Sequence, residues 1–172
     1  MNNRILVAVA WPYANSHLHL GQLAGAYIPP DIFARYHRLR GNDVLMVSGS
    51  DTHGTPITIT AEQEGISPEE VIQRYHESFL RSFQGLGTSF DLFTHTNTQN
   101  HWDVTTDMFT RLLENGFIYK EEMEALYCPH CDRYLPDRYV EGTCPFCQFS
   151  DARGDQCDNC GRPLDALELV DA

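Results

Sequence analysis

Lysine is almost missing from this chain: Lys120 stands alone against eleven arginines. A signature built on lysine is therefore excluded everywhere except at position 120. Basic charge is short overall, with a formal net charge of −12. That argues against a chain dominated by non-specific nucleic-acid affinity, which needs a basic face. A local basic patch remains open, because Arg35, Arg38 and Arg40 lie close together. No apolar run approaches the roughly 20 residues of a membrane span. The first four residues lead directly into a strand, with no signal-peptide pattern. The expectation is a cytoplasmic protein with no membrane segment. Cysteine, too, is absent from the first 127 residues, and all six cysteines fall in the last third.

What is present is enough for one ordinary domain, or one plus a small satellite. The chain has 172 residues, 42% of them hydrophobic, as in soluble globular proteins that bury a real core. The stretch from Ile5 to Gln22 organises the rest. Ile5 to Ala10 is short, apolar and β-branched, and reads as a buried strand of a parallel sheet. Pro12 stops it, and Asn15 and Ser16 are turn residues that also cap helices. His17, His19 and Gly21 follow where an amphipathic run begins. A strand feeding a helix N-terminus through such a turn offers backbone N–H groups and the helix dipole to an anion. The working reading is a nucleotide-phosphate site.

Leu18 to Arg40 has helical spacing, with Pro29 and Pro30 predicting two helical pieces or one kinked one. Val44 to Ser48 reads as a second buried strand. The strand–helix–strand order implies an α/β fold of the nucleotide-binding, Rossmann-like kind, with a parallel sheet whose ligands sit at strand C-termini. Gly49 to Pro56 is then a polar, glycine-bearing loop on the same edge as the first turn. Ser67-Pro-Glu-Glu70 is a capped helix start, and Val71, Ile72, Tyr75, Phe79, Leu80 and Phe83 are expected inward. Thr98 to Glu114 reads as another helix, with Trp102, Met108, Phe109, Leu112 and Leu113 on its apolar face. Phe117 to Lys120 would be a strand leaving the domain. A boundary near 118 is expected, giving a nucleotide-binding domain at 1–118 and a smaller unit at 119–172. The latter holds 12 acidic against 5 basic residues.

The cysteines form three Cys-x-x-Cys pairs, Cys128/Cys131, Cys144/Cys147 and Cys157/Cys160. In a reducing compartment such pairs read as zinc knuckles rather than disulfides. Two thiolates at this spacing chelate one side of a tetrahedral ion, and two knuckles complete it. The second and third pairs lie nine residues apart, a natural ribbon loop, and are assigned to one full site. Gly161 suits the left-handed turn a knuckle needs. Cys128 and Cys131 are then half of a second site. They await a fourth pair beyond Ala172, are vestigial, or take His130 as an improvised ligand.

With these residues in view, the chain resembles the N-terminal part of the methionyl-tRNA synthetases, a family of class I aminoacyl-tRNA synthetases. The resemblance is carried by Ala10-Trp-Pro-Tyr-Ala-Asn15, by His19-Leu-Gly-Gln22 in place of the class signature His-Ile-Gly-His, and by Gly49-Ser-Asp-Thr-His-Gly-Thr-Pro56. Tyr134 to Cys144 and Ala152 to Cys157 match the family's zinc-bearing connective insertion. It implies ATP-dependent activation of methionine to methionyl-adenylate, then transfer to tRNA, with magnesium accompanying ATP. His19, Gly21 and Gln22 would be catalytic. Tyr13 and Asn15 would join them in holding ATP, and Gly21 would be needed because a side chain there obstructs the nucleotide. Ala10, Trp11 and Tyr13 would line the methionine side chain, and Asp51 would pair with its ammonium. His17 would be a loop or solvent-facing residue, and His53 either a support for Asp51 or a structural loop histidine. The resemblance also implies a fourth cysteine pair, with the inner knuckles on one zinc and the outer ones on another.

The family's second signature, Lys-Met-Ser-Lys-Ser, is absent here, as are the second half of the sheet and the anticodon-binding helices. The chain is therefore expected to be an incomplete catalytic unit, inactive alone. Three rival readings remain. One is another class I synthetase, of the leucine, isoleucine, valine or cysteine group. Another is a small nucleotidyltransferase with a related His-x-Gly-His turn. The third is a non-catalytic zinc-ribbon protein that binds nucleic acid, which the acidic balance of 119–172 disfavours.

Overall fold

A computed structural model describes residues 3–172. The chain divides into two compact units, Met1–Asn115 and Gly116–Ala172. Among the described residues no helix is long and apolar enough to cross a membrane.

The first unit is a three-stranded parallel sheet in the order β1-β2-β3, with β1 at Arg4–Ala8, β2 at Asp43–Ser50 and β3 at Leu92–His95. Parallel neighbours need crossovers, and helices supply them. Helix α1 (Leu20–Gln22) runs through a π-helical turn, Leu23–Tyr27, into α2 (Ile28–Leu39). The expected kink at Pro29-Pro30 is thus resolved by widening. Proline cannot donate to the helical ladder and crowds the carbonyl four residues back. The preceding turn takes up the strain, Ile28 N–H reaching the carbonyl of Leu23, five residues back.

Helix α3 (Thr55–Glu64) was not anticipated. Its Ile57-Thr-Ile-Thr60 alternates like a strand, and β-branched residues are weak helix formers. Burial of Ile57 and Ala61 against the core decides for the helix. Pro56 opens it, and Gly65 closes it at φ 67°. Helix α4 (Pro68–Leu86) starts in a reciprocal capping box between Ser67 and Glu70 and ends at Gly87, φ 66°. It buries Val71, Tyr75, Phe79 and Phe83, but Ser78 replaces Leu80 on the inner face, and Leu80 is exposed.

The core gathers Val9, Tyr27, Ala34, Met46, Ile57, Val71, Phe79 and Phe83. Met46, Ile57, Val71 and Phe79 are at most 1% exposed, and each such burial contributes about 1.5–3 kcal/mol. Within this chain the packing covers one face of the sheet only. Leu6, Leu45 and Leu92, on the other face, are 66%, 52% and 55% exposed. The expectation of a strand buried on both sides fails for β1, which alternates inward and outward residues. Helix α5 (Gln99–Glu114) is capped by Thr98, whose hydroxyl accepts from His101 N–H. It buries none of its residues.

The second unit carries three short antiparallel pairs. They join β4 (Tyr127–Cys128) to β5 (Arg133–Tyr134), β6 (Glu141–Gly142) to β7 (Ala152–Arg153), and β8 (Asp155–Gln156) to β9 (Pro163–Leu164). Its small core is Val140, Cys144, Ala152, Cys157, Leu164, Ala166 and Leu169. Two of those seven are cysteines, so much of what this core can bury depends on them. Residues 117–120 have no regular structure, which corrects the expected exit strand. Gly116, at φ 75°, ends the helix before them.

Candidate active site and metal centre

The turn after β1 is locked to the end of β2. Asp51 N–H donates to the Pro12 carbonyl at 2.8 Å, and Ala14 N–H donates to the Asp51 carbonyl at 2.9 Å. Tyr13 and Asp51 thereby form a parallel bridge. Strand β2 runs through Ser50, so the expected polar loop at 49–56 begins two residues late. The Asp51 carboxylate accepts from His53 N–H at 3.1 Å, a two-residue Asx turn. His53 thus serves Asp51 through its backbone, and its ring is exposed. Thr52, His53, Gly54 and Asn97 help line a cavity of about 230 Å³ beside this turn.

His19 is the N-cap of α1. Its Nδ1 accepts from Gln22 N–H at 3.3 Å, and Gln22 Oε1 accepts from His19 N–H at 3.1 Å. An Nδ1 that accepts leaves the proton on Nε2, so the outer edge of the ring is a donor. Gly21 has a reason within the chain itself. A Cβ there would meet Cε1 and Nδ1 of His19 at 3.1 Å, so the glycine makes room for the histidine ring itself. The Gln22 side chain caps the helix, a role that needs no charge.

His17 is exposed yet tied down. Its Nδ1 lies 2.7 Å from Ser78 Oγ, and its ring stands edge-on to Tyr75 at 5.2 Å. Asn15 N–H donates to the Tyr13 carbonyl at 2.9 Å, which tightens the turn. Trp11 and Tyr13 are 38% and 48% exposed, and Ala10 is exposed. Trp11 meets the His101 ring at 6.3 Å. Ninety residues of separation left no sequence signal for that neighbour.

The arginines that left a basic patch open are mostly paired. Arg35 pairs with Asp31 and Arg38 with Asp91, each at 2.7 Å, while Arg40 stacks over Tyr36.

In the second unit the ligand atoms of Cys144, Cys147, Cys157 and Cys160 lie within 4.8 Å of one another. A zinc tetrahedron with sulfur arms of about 2.3 Å has sulfur–sulfur edges of about 3.8 Å. Cys147 and Cys157 sulfurs stand 3.6 Å apart, so the set fits such an ion. Hydrogen bonding from the Asn159 amide, then from the Phe149 backbone, holds the Cys147 thiol down at about 6. At Cys160 the Arg162 amide favours the thiolate. Burial and the three neighbouring sulfurs outweigh it, and push the thiol up to about 11. Four sulfurs this close resist being ionised together unless a cation sits among them.

Every knuckle ends in a left-handed residue: Asp132 at φ 51°, Gln148 at φ 61° and Gly161 at φ 70°. Only the glycine was legible beforehand, since a non-glycine residue at positive φ is uncommon. The first pair therefore has knuckle geometry too, with Cys131 N–H donating to Cys128 Sγ at 3.4 Å. Among the described residues the only group of three or more potential ligands is the four-cysteine one, so His130 does not complete a site with Cys128 and Cys131.

A family model described as tRNA synthetases class I (M) matches residues 5–172. The methionine–tRNA ligases of Thermomicrobium roseum and Roseiflexus castenholzii are 63% and 65% identical over 171 and 170 residues, each alignment covering 99% of this chain. The chain spans 29% of the length of both curated relatives. Mycobacterium tuberculosis methionyl-tRNA synthetase in complex with methionyl-adenylate shares the fold, with a TM-score of 0.72 at 24% identity over 95% of this chain and 30% of that one. Agrobacterium radiobacter LeuRS, in a ternary complex with tRNA and LeuAMS, shares it at a TM-score of 0.70 and 24% identity, over 88% of this chain and 20% of that one. Matched from Ile5 to its last residue, the chain belongs to the class I tRNA synthetases, in the family described as tRNA synthetases class I (M).

Proposed function

We propose that this chain is the amino-terminal part of a cytoplasmic methionine–tRNA ligase. The enzyme joins methionine to ATP, giving methionyl-adenylate and pyrophosphate, and passes the methionyl group to tRNA. The observation that carries this reading is the bridge between Tyr13 and Asp51, which sets the signature turn beside a carboxylate at the C-terminal end of the sheet. Ligands of open α/β sheets bind at that end. Both solved folds, one methionyl and one leucyl, resemble the chain about equally. The identity to methionine–tRNA ligases therefore favours methionine as the amino acid.

In the adenylation step the methionine carboxylate attacks the α-phosphorus of ATP and pyrophosphate leaves. Little covalent help is needed, so positioning and charge stabilisation carry the rate. His19 Nε2–H donates to phosphate oxygen, Gly21 lets that ring lie close to the helix, and Gln22 holds its tautomer. Tyr13 and Asn15 shape the nucleotide side of the turn. Asp51 pairs with the methionine ammonium, and Ala10, Trp11 and Tyr13 pack on the thioether, where aromatic rings are favourable. Magnesium would accompany the ATP phosphates. Zinc is the ion that suits the four cysteines, and it holds the second unit together. Cys128 and Cys131 would share a second zinc with a further pair. The remainder of the catalytic domain, a lysine-bearing loop and the anticodon-binding domain belong to the rest of the enzyme, so the isolated 172 residues do not aminoacylate tRNA.

The test is amino-acid-dependent exchange of pyrophosphate into ATP by the full-length protein. Exchange with methionine well above that with leucine, isoleucine, valine or cysteine is expected. Exchange driven by one of those instead would overturn the reading.

A further inference from the structure

We propose that Gly49 determines the shape of the amino-acid pocket, acting through Trp11. The inference rests on the reading of Trp11 as a wall of the methionine site.

Gly49 is the penultimate residue of β2, paired with Thr94 of β3, on the sheet face turned away from the core. A Cβ built on it would lie 2.7 Å from Cζ3 and 2.8 Å from Cη2 of Trp11, and 2.7 Å from the Thr94 carbonyl oxygen. Ordinary contacts begin at about 3.4 Å. The indole therefore rests on the bare main chain of β2, closer than any side chain at 49 would permit. Glycine is not needed there for its backbone freedom, since Gly49 is not among the positive-φ glycines. What matters is the missing side chain.

The ring also faces His101, in the first turn of α5, at 6.3 Å and tilted by 38°. The ring lies against the strand backbone at Gly49, so a clash there is relieved by moving the indole away from the sheet. Asp51 stands two residues beyond Gly49, so the displaced ring lies beside the place proposed for the substrate. Any Cβ at 49 drives the indole that way by more than half an ångström. Gly49 is thus a positioning residue. It sets the depth of the pocket without touching the amino acid.

The experiment is a double-mutant cycle in the full-length synthetase, read by pyrophosphate exchange. Gly49→Ala should raise KM for methionine about tenfold, with kcat and the ATP KM changed less than about twofold. The penalty should grow for ethionine, one methylene longer. In a Trp11→Leu background the same Gly49→Ala change should move the methionine KM by less than about threefold. The clash with the Thr94 oxygen is common to both backgrounds and cancels. An equal effect in both backgrounds, or an unchanged methionine KM, overturns the proposal. If Gly49→Ala alone is insoluble, a soluble Gly49→Ala/Trp11→Leu double variant supports the coupling and an equally insoluble one overturns it. If the parent enzyme activates a different amino acid, the functional reading fails. The cycle run with that amino acid still decides whether Gly49 acts through Trp11.

Discussion

His17 Nδ1 and Ser78 Oγ lie 2.7 Å apart, although 61 residues separate them in the chain. The contact fastens the turn two residues ahead of His19 onto α4, with Tyr75 edge-on to the same ring. A histidine outside the signature thereby steadies it. His17→Ala should cost about 1 kcal/mol of stability, the net worth of one such bond. It should also raise the ATP KM of the full-length enzyme several-fold while leaving the methionine KM alone. Combining it with Ser78→Ala should add little, because both remove the same bond. Wild-type ATP kinetics in His17→Ala would show that the tie serves stability only.

Gly21→Ala places a carbon 3.1 Å from two atoms of the His19 ring. The ring has to give by a few tenths of an ångström, which strains its hydrogen bond with Gln22 N–H and tilts its donor edge. Loss of one preorganised donor to a reacting phosphate costs roughly 100- to 1000-fold where it is complete. A partial misalignment should lower kcat/KM for ATP about tenfold or more. Gln22→Ala removes only the cap on His19 N–H, and should cost about 0.5–2 kcal/mol of local stability. Steady-state exchange kinetics of the two variants, ranked against each other, check the assignment.

Metal content separates the knuckles. The isolated chain should carry one zinc per molecule by elemental analysis, held by Cys144, Cys147, Cys157 and Cys160, which lie within 4.8 Å of one another. Cys144→Ser or Cys157→Ser should abolish it and release the second unit, because both sulfurs are fully buried in its small core. Cys128→Ser with Cys131→Ser should leave the single zinc in place. Chelation should remove the circular-dichroism signal of residues 116–172 and spare the helices of residues 1–115. Retention of zinc in Cys144→Ser would contradict this ligand set.

A pH effect follows from His76. Burial, then the neighbouring His95, holds its pKa below the ordinary 6.5, and its Nδ1 lies 2.8 Å from the buried Ser50 Oγ. Above that ordinary value both folded and unfolded chains hold the ring neutral, and stability is complete. As pH falls below 6.5 the unfolded chain takes up the proton first, so stability declines until the folded pKa is passed. Asp31 and Glu70 act in a lower window. At Asp31 burial is outweighed by hydrogen bonds from Ser89 and by Arg35, and at Glu70 hydrogen bonds from Ser67 act, so both carboxyls stay below the usual range and their contribution is lost only in stronger acid. Urea midpoints should drop between pH 7.5 and 5.5, and His76→Gln should flatten that drop. An unchanged slope in His76→Gln would assign the effect to another group.

The amino-acid sequence by itself determined the pieces whose cause is local. The knuckle spacing, the capped start of α4 at Ser67, and the strand–turn–helix order around His19 were legible because each depends on residues a few positions apart. The turn before His19 and the polar stretch that opens at Asp51 were legible for the same reason. Tertiary structure decided the rest. Helix α3 forms against the strand-like alternation of Ile57 to Thr60 because Ile57 and Ala61 meet the core. Strand β1 exposes Leu6 because helices within this chain cover only one face of the sheet. Gly21 and Gly49 look alike in the sequence, as small residues beside a site. Only the folded chain reveals that one makes room for the ring of His19 and the other for the ring of Trp11. Contacts across 38 and 61 residues leave no periodic trace, since they depend on where crossovers return the chain rather than on which residue comes next.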